Sequence, residues 1–254
     1  QKTLEKLFDF RFENGHSLKG HSLGNLLLAA LIQITGREDL AIAEAGRILS
    51  ASGYVYPVTL DKTDLVAVLE NGKRIYGETK IDLRHDEQKG DMVSIKKVYL
   101  SPKGSIFPDS RRVIKDADVI ILGPGDLYTS IIPNLLVRGV PEAIAASRAK
   151  VILVVNLMTK PGETDNFKVS DFIKTIKKYL GEAEGRLALA IVNNKLPDNV
   201  GTLAWYSKFH SEPVRDDVNE EFEGVKIIRG SFADRGEFVR HDPAKLSRAI
   251  ISLI

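Results

Sequence analysis

Val119-Ile120-Ile121-Leu122-Gly123-Pro124-Gly125-Asp126-Leu127-Tyr128-Thr129-Ser130 decides the architecture of this chain. Four consecutive apolar residues that stop at a Gly-Pro-Gly turn read as a strand buried on both faces, with a helix behind it. The same grammar recurs downstream. Val151-Ile152-Leu153-Val154-Val155 leads through a polar loop to a helical run from Ser170 to Leu180, and Leu187 to Val192 and Val225 to Ile228 supply further strands. Between the first two strands the pattern is helical through to Ser147, and Pro243 opens a terminal helix at its favoured first turn. Continuous Val/Ile/Leu runs alternating with helices predict an α/β fold: a Rossmann-like, mostly parallel sheet with helices on both faces.

Upstream the texture changes. Residues 53–100 form a β-rich excursion from an otherwise single α/β domain over 1–254, with Val66 to Leu69 and Arg74 to Tyr76 separated by Asn71-Gly72, the dipeptide of a type I′ hairpin turn. Ile95, Val98, Tyr99 and Leu100 mark another strand. Leu23, Leu26, Leu27, Ala30, Leu31 and Ile34 repeat at helical spacing and end at Gly36, giving a core helix too short to span a membrane. A second helix, Asp39 to Leu49 with Gly53 as its stop, is expected to pack on the first as a hairpin. The chain starts at Gln1, with Leu4, Leu7 and Phe8 already at helical spacing, so the native N-terminus is expected upstream of Gln1.

Composition narrows the function classes. The 254 residues contain 36 Lys plus Arg against 34 Asp plus Glu, and a net charge of +2 gives no electrostatic case for nucleic acid or a membrane surface. There is no cysteine, which excludes disulfides and thiolate zinc sites. The sequence has no phosphate loop of the Gly-Lys-Ser/Thr type, no His-Glu-x-x-His zinc motif and no Gly-x-Ser-x-Gly elbow, and His16 and His21 carry no carboxylate motif beside them. Nucleophilic catalysis therefore has no candidate. A homodimer is the expected assembly, since closed twofold assemblies are the commonest.

Ligands of open parallel sheets sit at the carboxyl ends of strands. Three loops qualify. In the first, Gly123, Pro124, Gly125, Asp126, Tyr128, Thr129 and Ser130 bring backbone close to a ligand, with hydroxyls and free amides at a helix start, a favourable place for phosphate; Asn134 follows one turn on. The second, Asn156 to Asp165, gathers Asn156, Thr159, Lys160, Gly162, Glu163, Thr164 and Asp165, more polar chemistry than a Pro-Gly turn needs. The third opens the first long helix, with His21, Ser22 as N-cap and Asn25. Arg240-His241-Asp242 and Asn193-Asn194 are further candidates, although Asp242 before Pro243 is also a good cap and Arg240 has Asp242 and Glu237 as possible ion-pair partners.

Taken together, Gly20 to Leu31, Gly123 to Ser130 continuing through Ile131-Ile132-Pro133-Asn134-Leu135-Leu136, Asn156 to Asp165 and Arg240-His241-Asp242 resemble the gluconeogenesis-factor (YvcK-like) branch of a superfamily that includes the 2-phospho-lactate transferases of deazaflavin-coenzyme synthesis. The likeness runs along nearly the whole chain. It implies a cytoplasmic protein that binds a nucleotide sugar of the UDP type, needs no cofactor, and supports cell shape and wall synthesis on gluconeogenic carbon together with a cell-wall regulatory partner. It also places Arg240 at the nucleotide-sugar site. Members begin with a strand, a Gly-Gly-Gly-Thr-Gly turn and an Asp-Asp-Gly-Gly-Ser-Ser-Gly stretch, which are expected before Gln1. The transferases carry approximately Gly-Pro-Ser-Asn-Pro where this chain has Gly123-Pro124-Gly125-Asp126-Leu127, so the regulator is the leading reading. A magnesium-dependent phospho-transferase, with Asp126 and Asp165 as oxygen ligands and Glu163 beside them, is the alternative. A nicotinamide oxidoreductase comes third, for want of a Gly-x-Gly-x-x-Gly turn.

Overall fold

The strands form where branched apolar side chains cluster. The computed structural model describes residues 2–13, 18–84, 93–195, 200–234, 236 and 238–254, so Gln1, His16 and Glu237 of the sequence reading lie outside the described residues. In chain order it contains helices α1 (Lys2–Asp9), α2 (Leu23–Thr35) and α3 (Glu38–Ile48), strands β1 (Asp64–Leu69) and β2 (Arg74–Tyr76), helix α4 (Glu78–Asp82), strand β3 (Ile95–Ser101) and helix α5 (Pro108–Asp116). There follow β4 (Val119–Leu122), a π-helical turn (Leu127–Ile131), α6 (Ile132–Leu135), α7 (Val140–Ala146), β5 (Lys150–Val154), α8 (Val169–Leu180), a 3-10 turn (Gly181–Arg186) and β6 (Leu187–Asn193). The rest is α9 (Val200–Lys208), β7 (Glu221–Phe222), β8 (Val225–Gly230) and α10 (Pro243–Ile251). Contacts group the chain into two compact units, Gln1–Leu60 with Phe107–Ser110, and Asp61–Ile106 with Arg111–Ile254.

The first unit is helical. Ser22 caps α2 by accepting the Asn25 amide at 3.2 Å, and α2 ends on Gly36 in the left-handed region at φ 72°, a conformation that costs glycine least. The expected hairpin with α3 forms, with α3 ending at Ile48 and capped by Leu49, and Gly53 does not serve as its stop. The Ser50 and Ala51 amides already donate to the Arg47 and Gly46 carbonyls there, so the helix is closed before the glycine is reached. Contrary to its reading as a core helix, α2 buries none of its residues; among the described residues of this unit, α1 and α3 are the elements that pack against it.

The second unit carries the sheet. Its strands run β4-β5-β6-β8-β7, the first four parallel and β7 antiparallel at the edge, with Ile121 opposite Ile152 and Ala190 opposite Ile227. Val151 to Val155 are all buried. Ile152, Val154 and Ile191 pack with Phe232 and with Leu246 of α10, while α8 buries Val169, Phe172, Ile173, Ile176 and Leu180. A separate antiparallel sheet, β2-β1-β3, is the expected β-rich excursion. Its hairpin differs in turn type: Gly72 alone has positive φ, at 84°, and Leu69 both receives the Gly72 amide and donates to the Lys73 carbonyl, which makes a three-residue loop and not a type I′ pair. The single helix expected up to Ser147 is broken into three pieces, the last restarting at Gly139 with φ 100°.

Candidate functional site

The loops after β4 and β5 lie side by side at the carboxyl edge of the sheet and wall a cavity of about 830 Å³. Pro124, Gly125 and Asp126 line it from the first loop and Asn156 to Pro161 from the second; Trp205, Tyr206, Phe209 and Ser211 come from α9 and beyond, and Val239, Arg240 and His241 from the segment before α10. The Asn156 amide nitrogen donates to the Gly125 carbonyl at 3.0 Å and so ties the two loops together, while its buried Oδ1 has no hydrogen-bond donor among the described residues. An orphaned buried acceptor on a cavity wall is a place a ligand donor completes.

Beside the cavity the loops are locked by charge, with Lys160 and Asp126 themselves on its wall and Glu163 buried behind them. Glu163, fully buried, accepts the Tyr128 amide (3.1 Å) and the Thr129 hydroxyl (2.9 Å). The Lys160 ammonium meets Glu163 at 3.0 Å, Asp126 at 2.6 Å, and Asp82 of α4. Burial alone lowers the Lys160 pKa, but Glu163, Asp126 and Asp82 outweigh it and hold the group above its ordinary value, so it stays charged. Burial pushes the Glu163 carboxyl up, against the pull of Lys160 and Thr129. Arg84, itself buried, donates to the Gly162 and Val93 carbonyls.

The sequence-nominated residues divide accordingly. Pro124, Gly125, Asp126, Asn156, Thr159 and Arg240 share the cavity. Tyr128 and Thr129 are buried, and the Ser130 amide donates to the Asp126 carbonyl at 2.9 Å. Of the amides at this turn, Tyr128 donates to the Glu163 carboxylate and Ser130 to the Asp126 carbonyl, so these two are engaged within the chain. Asn134 and Ser130 flank a separate shallow hollow, where Asn134 donates to the Ser130 carbonyl. The Thr159 hydroxyl accepts the Glu212 amide, Thr164 accepts the Lys160 amide, and Asp165 accepts the Gly162 amide, so these groups stabilise the second loop. His21, Ser22 and Asn25 belong to the helical unit, where Ser22 serves as the cap.

Arg240 is exposed on a short antiparallel ladder: Asp234 donates to its carbonyl at 2.8 Å, and the Asp242 amide donates to Phe232. Asn193 holds that ladder, its Oδ1 accepting the Phe232 and Ala233 amides. The Asp242 carboxylate caps α10 and pairs with Lys245, so among the described residues no carboxylate neutralises Arg240. Burial lowers the His241 pKa, against an opposing pull from the Val155 backbone. Sequence reasoning missed Asp82, Arg84 and the aromatic wall. Asp82 and Arg84 carry no local pattern; for the wall, the Trp205-Tyr206 pair followed at one helical turn by Phe209 was the available signal.

A mostly parallel α/β sheet with a strand-end cavity walled by aromatic side chains and Arg240 defines a Rossmann-like protein with a candidate ligand site. The chain belongs to the gluconeogenesis-factor branch of the CofD family: the family described as 2-phospho-L-lactate transferase CofD matches residues 1–233. It is 35% identical over 258 residues to the gluconeogenesis factor of Bacillus subtilis, covering 100% of this chain and 78% of that one. It is 38% identical to the gluconeogenesis factor of Halalkalibacterium halodurans, covering 99% of this chain and 76% of the relative. A crystal structure of a Bacillus halodurans protein superposes with a TM-score of 0.88 at 37% identity, covering 99% of this chain and 78% of that one. Of a longer relative from Nostoc, 39% identical, the chain spans 54%. Among the described residues no helix is long and apolar enough to cross a membrane.

Proposed function

We propose that this chain binds a nucleotide sugar of the UDP type at the strand-end cavity and acts as a regulator, linking nucleotide-sugar supply to cell shape and wall synthesis during growth on gluconeogenic carbon. The observation that carries the reading is Arg240, which no carboxylate among the described residues neutralises, on the rim of a cavity that also offers an Asn156 Oδ1 with no donor among those residues. A guanidinium suits two phosphate oxygens, and the orphaned acceptor suits a ligand N–H or O–H. The relatives' designation as gluconeogenesis factors supports the physiological setting.

The family match favours one second reading, a magnesium-dependent phospho-transferase. Asp82, Asp126 and Glu163 each bring a carboxylate oxygen within 4.8 Å of the others, the kind of oxygen set a hard cation takes. Lys160, however, already places its ammonium against all three, and Asp165 stands apart on the Gly162 amide. This donor set fits an ammonium better than a divalent ion, so binding without turnover remains the proposal.

Thermal shift and calorimetry test it. A UDP-sugar at a hundredfold excess over Kd stabilises the native state by about 2.7 kcal/mol, whereas GDP and a deazaflavin do less. Arg240→Ala weakens nucleotide-sugar binding about ten- to a hundredfold with little change in melting temperature, since the side chain is exposed. The reverse ranking of ligands, or steady magnesium-dependent turnover lost in Asp126→Asn, gives the site to the transferase.

A further inference from the structure

The aromatic side chains of the cavity have no part in the loop chemistry described above. Trp205, Phe209 and Phe238 are 47%, 48% and 47% exposed, an unusual state for three large rings in one patch. They are not loosely placed. Their neighbour Tyr206 packs with Leu203 and Met158 against Leu157, Ala233 and Val239, and its hydroxyl accepts the Val239 amide at 3.3 Å, which fixes this face of α9. Around the indole, Tyr206 stands at 5.1 Å and 87°, Phe238 at 6.1 Å and 76°, and Phe209 at 4.7 Å and 51°. All three rings are inclined to the indole, and among the described residues none lies parallel on it.

The cation is close by. The Arg240 guanidinium carbon lies 5.8 Å from the Phe238 ring centroid, so an anion-binding group and an unstacked indole border the same cavity. A planar heteroaromatic ring joined to a phosphate is the chemistry that uses both at once. The cavity, about 830 Å³ and mostly apolar-lined, has the size of a small-molecule site rather than of a flat protein interface.

We propose that Trp205 is the stacking platform for the nucleobase of the bound nucleotide, with Phe209 and Phe238 bracing the indole; this rests on the nucleotide-sugar reading of the cavity. Stacking uses the π-face common to all bases, so the platform supplies affinity for the base and leaves discrimination between bases to polar groups such as the Asn156 amide.

Trp205 is the only tryptophan in the chain, so its emission reports the contact directly. The whole chain is titrated with UDP-N-acetylglucosamine, UMP, ribose 5-phosphate and a deazaflavin, following tryptophan fluorescence and, in parallel, heat of binding. The expected result is saturable change of emission with UDP-N-acetylglucosamine and UMP and none with ribose 5-phosphate. Trp205→Ala then weakens UMP about ten- to a hundredfold, Trp205→Phe keeps Kd within severalfold, and both variants melt with the wild type. Calorimetric binding of UDP-N-acetylglucosamine with unchanged emission, and with Kd in Trp205→Ala within twofold of wild type, overturns the platform and leaves the nucleotide-sugar reading standing. Absence of nucleotide-sugar binding takes down both. Saturation by the deazaflavin with no response to UMP assigns the indole to the other ring and overturns the nucleobase.

Discussion

Lys160 is held by three carboxylates from three parts of the chain, and one of them, Glu163, has no access to water. Removing the ammonium leaves Glu163 buried and charged beside two like charges. Breaking a fully buried pair costs about 3–5 kcal/mol, and because Asp82 and Asp126 are partly open to solvent the expected loss in Lys160→Met is about 2–3 kcal/mol. If the cost is electrostatic, Glu163→Gln in the Lys160→Met background recovers at least about 1 kcal/mol, since the uncharged amide can accept the Tyr128 N–H on its oxygen and donate its NH2 to the Thr129 hydroxyl oxygen. Urea unfolding of the two variants decides it; a double variant less stable than Lys160→Met shows that packing, not charge, holds the loop. The sequence marks Asp126 and Glu163 as chemically interesting, yet it cannot show that Asp82 completes their cluster. That partner lies 78 positions from Lys160 on a short helix, and only the folded chain brings the two together.

Gly139 starts α7 at φ 100°, and a Cβ there would lie 2.5 Å from Ile106 Cγ2 and 2.7 Å from an Arg111 guanidinium nitrogen. Two costs therefore coincide in Gly139→Ala: left-handed backbone for a residue with a Cβ, and a steric clash with a buried side chain. A loss of about 2–4 kcal/mol is expected, against a change within about 1 kcal/mol for Gly185→Ala, where a Cβ meets open space and φ is not positive. Chemical denaturation of the pair measures the difference, and equal midpoints would remove the backbone explanation for the break between α6 and α7. The signal for that break was present in Arg138-Gly139-Val140-Pro141, a glycine two residues before a proline, but reading the stretch as helical through to Ser147 passed over it, whereas β4, β5, β6 and β8 were legible as short Val/Ile/Leu runs. The β1–β2 hairpin was legible too, although its turn geometry depended on the Glu70 to Gly72 backbone rather than on the Asn-Gly dipeptide alone.

The two units of the chain differ in how much apolar surface they enclose. In the sheet-bearing unit Val151 to Val154, Ala190 to Val192 and one face of α8 are buried, so their amides open only when the unit's core opens. In the helical unit α2 buries nothing and α3 only Ala41. An apolar sequence such as Leu26-Leu27-Leu28-Ala29-Ala30-Leu31 reads as core because composition reports how much a helix could bury, while burial depends on what packs beside it. Local opening of α2 and α3 thus disrupts little enclosed apolar surface. In hydrogen exchange on the ligand-free chain, amides within α2 and α3 are expected to exchange at least about a hundredfold faster than those of β5 and β6, relative to their intrinsic rates. Saturating UDP-N-acetylglucosamine should then slow exchange around Gly125 and Asp126, Asn156 to Lys160, and Arg240, and should leave α2 and α3 unchanged if the ligand contacts only the strand-end cavity. Protection of α2 equal to that of β5 in the free chain would mean that the exposed apolar face is covered in solution, and protection of α2 arising only with ligand would bring the loop at His21 to Asn25 into the binding site.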